Sequence, residues 1–181
     1  MKEALFVIDV QNEYFTGKLP VTYPSGSFEN ILLAMDHARS AHLPVVVIQH
    51  TNPAPDAATF KKGTRGWELH DEIKRRSVSV VLEKNLPGSF TGTMLDAWLK
   101  NHNITTLTIA GYMTQMCCDT TARQAFHHGY TVNFLSDATG TLSFTNPAGT
   151  INDKDLHNAI LVTQQQLFSR VLKTAEWIQR V

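Results

Sequence analysis

The sequence predicts a three-layer α/β/α sandwich built on a six-stranded parallel sheet. Six short segments are nearly continuous runs of apolar and β-branched residues, a pattern typical of parallel strands that are buried on both faces. Segments with apolar residues at helical spacing lie between these runs. Strands that alternate with helices along a chain favour parallel pairing through helical crossovers.

Each element follows from a local pattern. The predicted strands are ALFVID (4–9), PVVVIQH (44–50), SVVLEK (79–84), TTLTIAG (105–111), YTVNFLSDA (130–138) and RVLKT (170–174). The predicted helices are 28–42, 92–102, 115–128 and 153–168, and the last of these begins near Asn152 or Asp153 as its N-cap. The two irregular segments are 51–67 and 143–149, and a loop as long as the first is often functional.

Composition narrows the functional classes. The chain has 181 residues, enough for one sizeable core, so we expect a single domain over 1–181. Sixteen basic residues balance sixteen acidic ones, which favours neither nucleic acid nor an anionic membrane as a partner. No apolar run is long enough to span a bilayer. No G-x-G-x-x-G follows a strand, so we expect no dinucleotide cofactor.

The N-terminal residues and the cysteine content predict a cytoplasmic location. The start, MKEALFVIDV, passes directly into a strand pattern and does not resemble a targeting segment. Two cysteines, Cys117 and Cys118, are adjacent in the sequence, and such neighbours rarely bridge each other. We therefore expect reduced thiols.

Chemistry-bearing residues stand at the carboxyl ends of the predicted strands, where open parallel sheets bind ligands. These residues are Asp9, His50, Lys84 and, after Gly111, the two cysteines. A thiol at a helix N-terminus beside a lysine should have a lowered pKa, because both stabilise the thiolate. A nearby carboxylate is able to take the thiol proton and return it to a leaving group.

Four segments resemble the isochorismatase-like cysteine hydrolases, in the right order and spacing. They are DVQNEYF (9–15), GTRGWELHDEI (63–73), EKNLPGSFTGTMLDAWL (83–99) and AGYMTQMCCDTTARQAFHHGYTVNFLSDATGT (110–141). The last carries the pattern G-x-x-T-x-x-C-x-x-x-T-A of that family. The resemblance implies the Rossmann-like fold of these hydrolases, and no cofactor.

The resemblance also implies specific roles for site residues. It implies an Asp–Lys–Cys triad of Asp9, Lys84 and Cys117, because the threonine spacing selects Cys117, and it leaves Cys118 as a packing residue. It further implies a cis peptide between Tyr112 and Met113, with the backbone amides of Met113 and Cys117 forming an oxyanion hole.

The substrate pocket is predicted more loosely. Its expected members are Gln11, Phe15, Trp67, Phe90 and Tyr112. The Asp-x-His pattern with which nicotinamidases of this superfamily bind a metal is absent from QHTNPAPD (49–56), so we expect no metal. Whether His50 helps to bind a metal or a substrate stays open.

The expected partners are a small-molecule substrate and further copies of the chain. The family tends to form dimers or tetramers, and Met113, Met116 and Phe144 are candidates for such an interface, although burial in the core explains them equally well.

The leading functional hypothesis is hydrolysis of a small amide or related C–N bond through a thioester on Cys117. One alternative is vinyl-ether hydrolysis of isochorismate with Asp9 as the acid, which needs no thiol. Another is a thiol redox-sensing or binding domain that uses the Cys117–Cys118 pair.

Overall fold

The computed structural model describes residues 2–180 and confirms the predicted α/β sandwich. Six parallel strands form one sheet in the order β3-β2-β1-β4-β5-β8. These strands are β1 (Lys2–Ile8), β2 (Val45–His50), β3 (Val80–Lys84), β4 (Ile104–Tyr112), β5 (Thr131–Gly140) and β8 (Arg170–Leu172). A separate antiparallel hairpin joins β6 (Phe144–Asn146) to β7 (Gly149–Ile151).

Helices cover both faces of the sheet. They are α1 (Ser27–Ser40), α2 (Asp71–Lys74), α3 (Leu95–Asn101), α4 (Asp119–His127), α5 (Asp153–Thr163) and α6 (Thr174–Ile178). Side chains alternate along β1, so that Leu5 and Val7 join the core under α1 and α6, whereas Phe6 and Ile8 join the core under α3 and α4. Burial of both faces explains why β1 reads as an unbroken apolar run.

The structure differs from the sequence-based expectation at several elements. Every second residue from Val81 to Glu83 of β3 is exposed, because this strand forms an edge of the sheet. The helix expected over 115–128 begins as a wide π-helical turn, Thr114–Cys118, before α4, and the helix expected over 153–168 ends in a second such turn, Gln164–Phe168. The segment 143–149 contains most of the β6–β7 hairpin.

Two short helices, α2 and α6, were absent from the sequence-based expectation, since each is only four or five residues long. The segment 51–67 is irregular, as expected. Within residues 2–180, no helix has both the length and the apolar character needed to cross a membrane.

The chain order creates a switch point between β1 and β4. From β1 the chain builds outward through β2 and β3, and it then returns to the other side of β1 to add β4, β5 and β8. Loops that leave β1 and β4 therefore diverge to opposite faces, and they open a crevice at the carboxyl ends of these two strands.

Candidate active site

Asp9, Lys84 and Cys117 meet at this switch point. Asp9 follows β1, Lys84 ends β3 and Cys117 lies in the turn after β4. Their exposed fractions are 0%, 2% and 6%, so the cluster is almost closed to solvent. Burying charged groups costs free energy unless they are paired, and these three groups contact one another.

The Asp9 carboxylate is held by backbone geometry and by one ion pair. The Asp9 N–H donates to the carbonyl of Ile48 at 2.9 Å, and its φ of 52° turns the chain sharply away from the strand. Lys84 Nζ lies 2.7 Å from Oδ2 of Asp9. At this short distance the angles are poor for a hydrogen bond, and neither carboxylate oxygen accepts one from residues 2–180. The carboxylate therefore keeps its acceptor capacity for another group.

Lys84 joins the carboxylate to the thiol. Its Nζ donates to Sγ of Cys117 at 3.2 Å. Burial favours a lower pKa for Lys84, but its interactions with the Asp9 carboxylate and the Cys117 sulfur outweigh burial and raise the pKa overall. The ammonium consequently stays charged inside the cluster.

The Cys117 thiol differs from the sequence-based expectation, which was wrong about the direction of its pKa shift. Burial raises the pKa of the thiol, the Asp9 carboxylate raises it further, and the Lys84 ammonium offsets only part of this increase. The resting sulfur is therefore a neutral thiol, which needs a base in order to attack.

Cys117 is presented by the wide turn between β4 and α4. The carbonyl of Met113 accepts hydrogen bonds from the N–H groups of Met116 at 3.1 Å and Cys118 at 3.2 Å. The Tyr112–Met113 peptide that precedes the turn is cis. Gly111 has a φ of 119°, and a Cβ there would overlap the carbonyl oxygen of Ile8. Only glycine allows β4 to pass so close to the end of β1.

Two buried hydrogen-bond pairs fix the turn to its surroundings. Thr114 Oγ1 lies 2.8 Å from Nδ1 of His157 on α5, and Nε2 of the same ring lies 2.9 Å from the carbonyl of Ser136. Thr121 on α4 accepts from the N–H of Ser89 at 3.1 Å, which ties α4 to the loop after Lys84. Burial lowers the pKa of His157, so its ring is neutral and accepts from the threonine.

The structure places the predicted pocket residues unequally. Gln11 is fully buried, and its amide bonds the backbone of His50 and Trp67, so it acts as framework instead of facing a ligand. Trp67 is half buried and donates through Nε1 to Thr51 Oγ1 at 2.7 Å. Phe90 packs against the rings of His128 and Tyr130, at the far end of α4 from Cys117. The ring of Phe90 thus packs in the core beneath the helix, and its expected place in a substrate pocket stays a prediction.

Phe15 and Tyr112 lie on the α1 side of the cluster. Their ring centroids are 6.0 Å apart, and the Tyr112 hydroxyl is 3.1 Å from Oγ of Ser27. Together with Tyr14 they line a cavity of about 330 Å³. A second cavity of about 250 Å³ borders Lys84. A larger cavity of about 580 Å³ lies at the amino ends of the strands, whereas the cluster lies at their carboxyl ends.

Tyr14 is a site residue that the sequence analysis missed. It is 4% exposed, and its ring packs 5.6 Å from Tyr112. Burial raises the pKa of Tyr14, and the nearby Cys117 sulfur and Asp9 carboxylate raise it further. The phenol is thus a protonated donor beside the cluster. Tyr14 and Phe15 are adjacent aromatics in a short turn, and the sequence holds no signal for which of them faces inward.

Over the described chain, 2–180, no three His, Cys, Asp or Glu side chains are grouped so as to hold a metal ion. The candidate chemistry is carried by a carboxylate, an ammonium and a thiol. Together with the parallel sheet and its switch point, this cluster defines a class of α/β protein with a buried carboxylate, ammonium and thiol at the carboxyl ends of its strands.

Comparison with known proteins identifies the family. The isochorismatase domain model matches residues 3–176, so the chain belongs to the isochorismatase family, whose members are hydrolases. A crystal structure assigned as an isochorismatase, from Burkholderia xenovorans LB400, is 45% identical with a TM-score of 0.95, and the match covers 98% of this chain and 86% of that one.

Two curated relatives show the range of the family. The secreted isochorismatase effector Isc1 of Verticillium dahliae is 36% identical over 136 residues, which cover 75% of this chain and 71% of the relative. Nicotinamidase 3 of Arabidopsis thaliana is 30% identical over 171 residues, which cover 88% of this chain and 78% of the relative.

Proposed function

We propose that this protein hydrolyses a small amide, or a related C–N bond, through a thioester on Cys117. The observation that carries the proposal is the position of the Lys84 ammonium, 2.7 Å from Asp9 Oδ2 and 3.2 Å from Cys117 Sγ. One buried cation therefore contacts both a base and a nucleophile, as nucleophilic catalysis requires.

The proposed reaction begins from the neutral thiol. Asp9 takes the thiol proton as Cys117 Sγ attacks the carbonyl carbon, and Lys84 stabilises the developing thiolate. The tetrahedral oxyanion accepts from the backbone amides of Met113 and Cys117. Asp9 then gives its proton to the leaving nitrogen, the C–N bond breaks, and the amine departs from a thioester. Water attacks the thioester while Asp9 takes its proton, and the thiol leaves with that proton as the carboxylic acid is released.

The raised pKa of Cys117 is consistent with this sequence of proton transfers. A thiol that is neutral at rest depends on an adjacent base, and Asp9 has carboxylate oxygens without hydrogen-bond donors among residues 2–180. The same carboxylate then serves as the acid for the leaving group, as general acid–base catalysis allows when one residue changes role between steps.

A thiol in contact with the ammonium favours acyl chemistry over vinyl-ether hydrolysis, which needs an acid but no nucleophile. The name of the Arabidopsis relative, a nicotinamidase, points to an uncharged amide. Two of the three basic residues on the segment 51–67 are paired with carboxylates, which also favours a neutral substrate. Lys62 is paired with Glu83 at 2.7 Å, and Arg65 with Glu68 at 2.9 Å, so these cations are already neutralised by carboxylates.

The test is a panel of nicotinamide, aliphatic amides, ureas and isochorismate, followed by acid quenching and intact-mass measurement of the protein. We expect turnover of an amide or urea, and an acyl mass on Cys117. Cys117→Ala should lose turnover by at least about a thousandfold, since it lacks the nucleophile. The matched control, Cys118→Ala, removes the neighbouring, fully buried thiol and should keep turnover within about threefold.

The rival reactions predict other outcomes. Full turnover by Cys117→Ala would refute the thioester. Loss of activity in Asp9→Asn with retention in Cys117→Ala, on isochorismate, would establish the vinyl-ether reaction instead. A reversible Cys117–Cys118 disulfide after mild peroxide, without hydrolysis of any panel member, would support redox sensing.

A further inference from the structure

Lys84 reaches the cluster from a strand that is not adjacent to β1. It ends β3, the edge strand, whereas Asp9 follows β1, and β2 lies between them. Neighbouring strands are about 4.8 Å apart, so the backbones of β3 and β1 are roughly 10 Å apart, and the side chains of Lys84 and Asp9 meet over the end of β2. The residue at the end of β2 is His50, which is the direct register partner of Lys84. The histidine therefore lies beneath the path of the lysine side chain.

His50 is the third polar group in contact with the Lys84 ammonium. A lysine ammonium has three N–H donors and no acceptor. Its neighbours are Asp9 Oδ2 at 2.7 Å, Cys117 Sγ at 3.2 Å and His50 Nδ1 at 3.4 Å. Because the ammonium only donates, Nδ1 of His50 must be unprotonated, and the ring proton must lie on Nε2.

The backbone of His50 is fixed by Gln11. The Gln11 carbonyl oxygen accepts from the His50 N–H at 2.8 Å, and the Gln11 amide donates to the His50 carbonyl at 2.9 Å. The ring of Phe60 packs edge-on against the imidazole, with centroids 5.2 Å apart. The imidazole is thus held in one place while it remains half buried.

The charged groups that face the imidazole are Lys84 from β3 and Asp9 after β1. Burial lowers the pKa of His50, the Lys84 ammonium lowers it further, and Asp9 opposes the shift. His50 is therefore neutral at pH 7, the state in which its Nδ1 is able to accept.

We propose that His50 is a positioning residue of the hydrolase, whose neutral ring holds the Lys84 ammonium between Asp9 and Cys117. This inference rests on the proposed function, because it assigns the same ammonium to the stabilisation of the Cys117 thiolate. Protonation of His50 would remove the acceptor and place a second positive charge 3.4 Å from the ammonium. The ammonium would then be displaced from the sulfur, and thiolate formation would decline.

The test uses alkylation of Cys117 by iodoacetamide, located by peptide mass spectrometry, and so needs no substrate. His50→Asn places an amide oxygen where Nδ1 was, without a titratable group, whereas His50→Phe keeps the ring and removes the acceptor. The matched control is His42→Asn, at an exposed position with a φ of 57° that asparagine tolerates, before the start of β2.

At pH 7.5 we expect His50→Phe to be alkylated about tenfold more slowly than the parent protein, as expected for loss of one hydrogen bond to a charged group. His50→Asn should stay within about twofold, and His42→Asn should match the parent. As the pH falls through the range in which the His50 ring becomes protonated, followed by NMR, the ratio of the His50→Asn rate to the parent rate should rise, because only the parent loses its acceptor. The ratio cancels the titration of the thiol itself.

Nitrogen-15 NMR of the parent protein supplies an independent readout. At pH 7.5 the His50 ring should show a protonated Nε2 and an unprotonated Nδ1. A protonated Nδ1, an unchanged alkylation rate in His50→Phe, or a ratio that stays constant while the His50 ring becomes protonated would each overturn the proposal. None of these readouts involves turnover, so they separate this inference from a failure of the proposed hydrolysis.

Discussion

Replacing Lys84 by methionine tests whether the buried ion pair organises the site. The lysine and Asp9 side chains are both fully buried, with 2.7 Å between Nζ and Oδ2. At an effective dielectric constant of about 20, two unit charges at that separation attract by about 6 kcal/mol. Desolvation offsets much of this attraction, but Lys84→Met would leave an uncompensated carboxylate inside the protein. Breaking a buried pair in this way typically costs about 3–5 kcal/mol.

Urea unfolding measures this cost. With a slope of about 2 kcal/mol per molar urea, the midpoint of Lys84→Met should fall by roughly 1.5–2.5 M. The double variant Asp9→Asn/Lys84→Met removes both charges and should recover at least about 2 kcal/mol of that loss. A double-mutant cycle over the four proteins isolates the coupling between the two side chains. A coupling below about 0.5 kcal/mol would refute the reasoning, since it would mean that the charges do not depend on each other.

Two further predictions concern the surroundings of the cluster. Gly111→Ala should lower the free energy of unfolding by more than about 2 kcal/mol, measured by urea unfolding, because the new Cβ overlaps the Ile8 carbonyl and φ is 119°. Stability should also decrease as the pH falls below about 6.5, because burial lowers the pKa of His157 and the unfolded chain then binds more protons than the folded one. His157→Gln should reduce this slope in unfolding experiments between pH 7.5 and 5.5.

Each of these two predictions would be contradicted by a specific result. A Gly111→Ala protein with the urea midpoint of the parent would show that β1 and β4 are able to separate without cost. A pH slope that is the same in His157→Gln and in the parent would mean that other groups, such as His50 and His70, account for the loss of stability in acid.

The sheet could be predicted from the sequence because its strands are buried on both faces. A strand such as β1, with no exposed residue between Ala4 and Ile8, leaves an unbroken apolar run that few other structures explain. The wide turn at Thr114–Cys118 could not be predicted, since its residues fit an ordinary helical period and only the contact of Met113 with Cys118 widens it. Short helices such as α2 depend on tertiary contacts more than on their own sequence.

Part of the candidate site could also be predicted, because strand ends converge in a parallel sheet. Asp9, Lys84 and Cys117 are brought together as that rule requires, and their catalytic roles stay a prediction. The directions in which individual side chains point could not be predicted from the sequence. Phe90 turns into the core, and Tyr14, one residue from the expected Phe15, turns toward the cluster. The thiol pKa was predicted from charge alone, without the dominant effect of burial.

The left-handed backbone at Asp9 restricts which residues this position tolerates. A φ of 52° is accessible to glycine, asparagine and aspartate at little cost, but it disfavours most other side chains. Among the tolerated residues, only aspartate also carries a carboxylate. One residue thus supplies both the bend that ends β1 and the buried carboxylate, so an exchange such as Asp9→Glu would disturb the chain direction as well as the position of the carboxylate. Asp9→Asn is the substitution that separates the two, because it preserves the bend and removes only the charge.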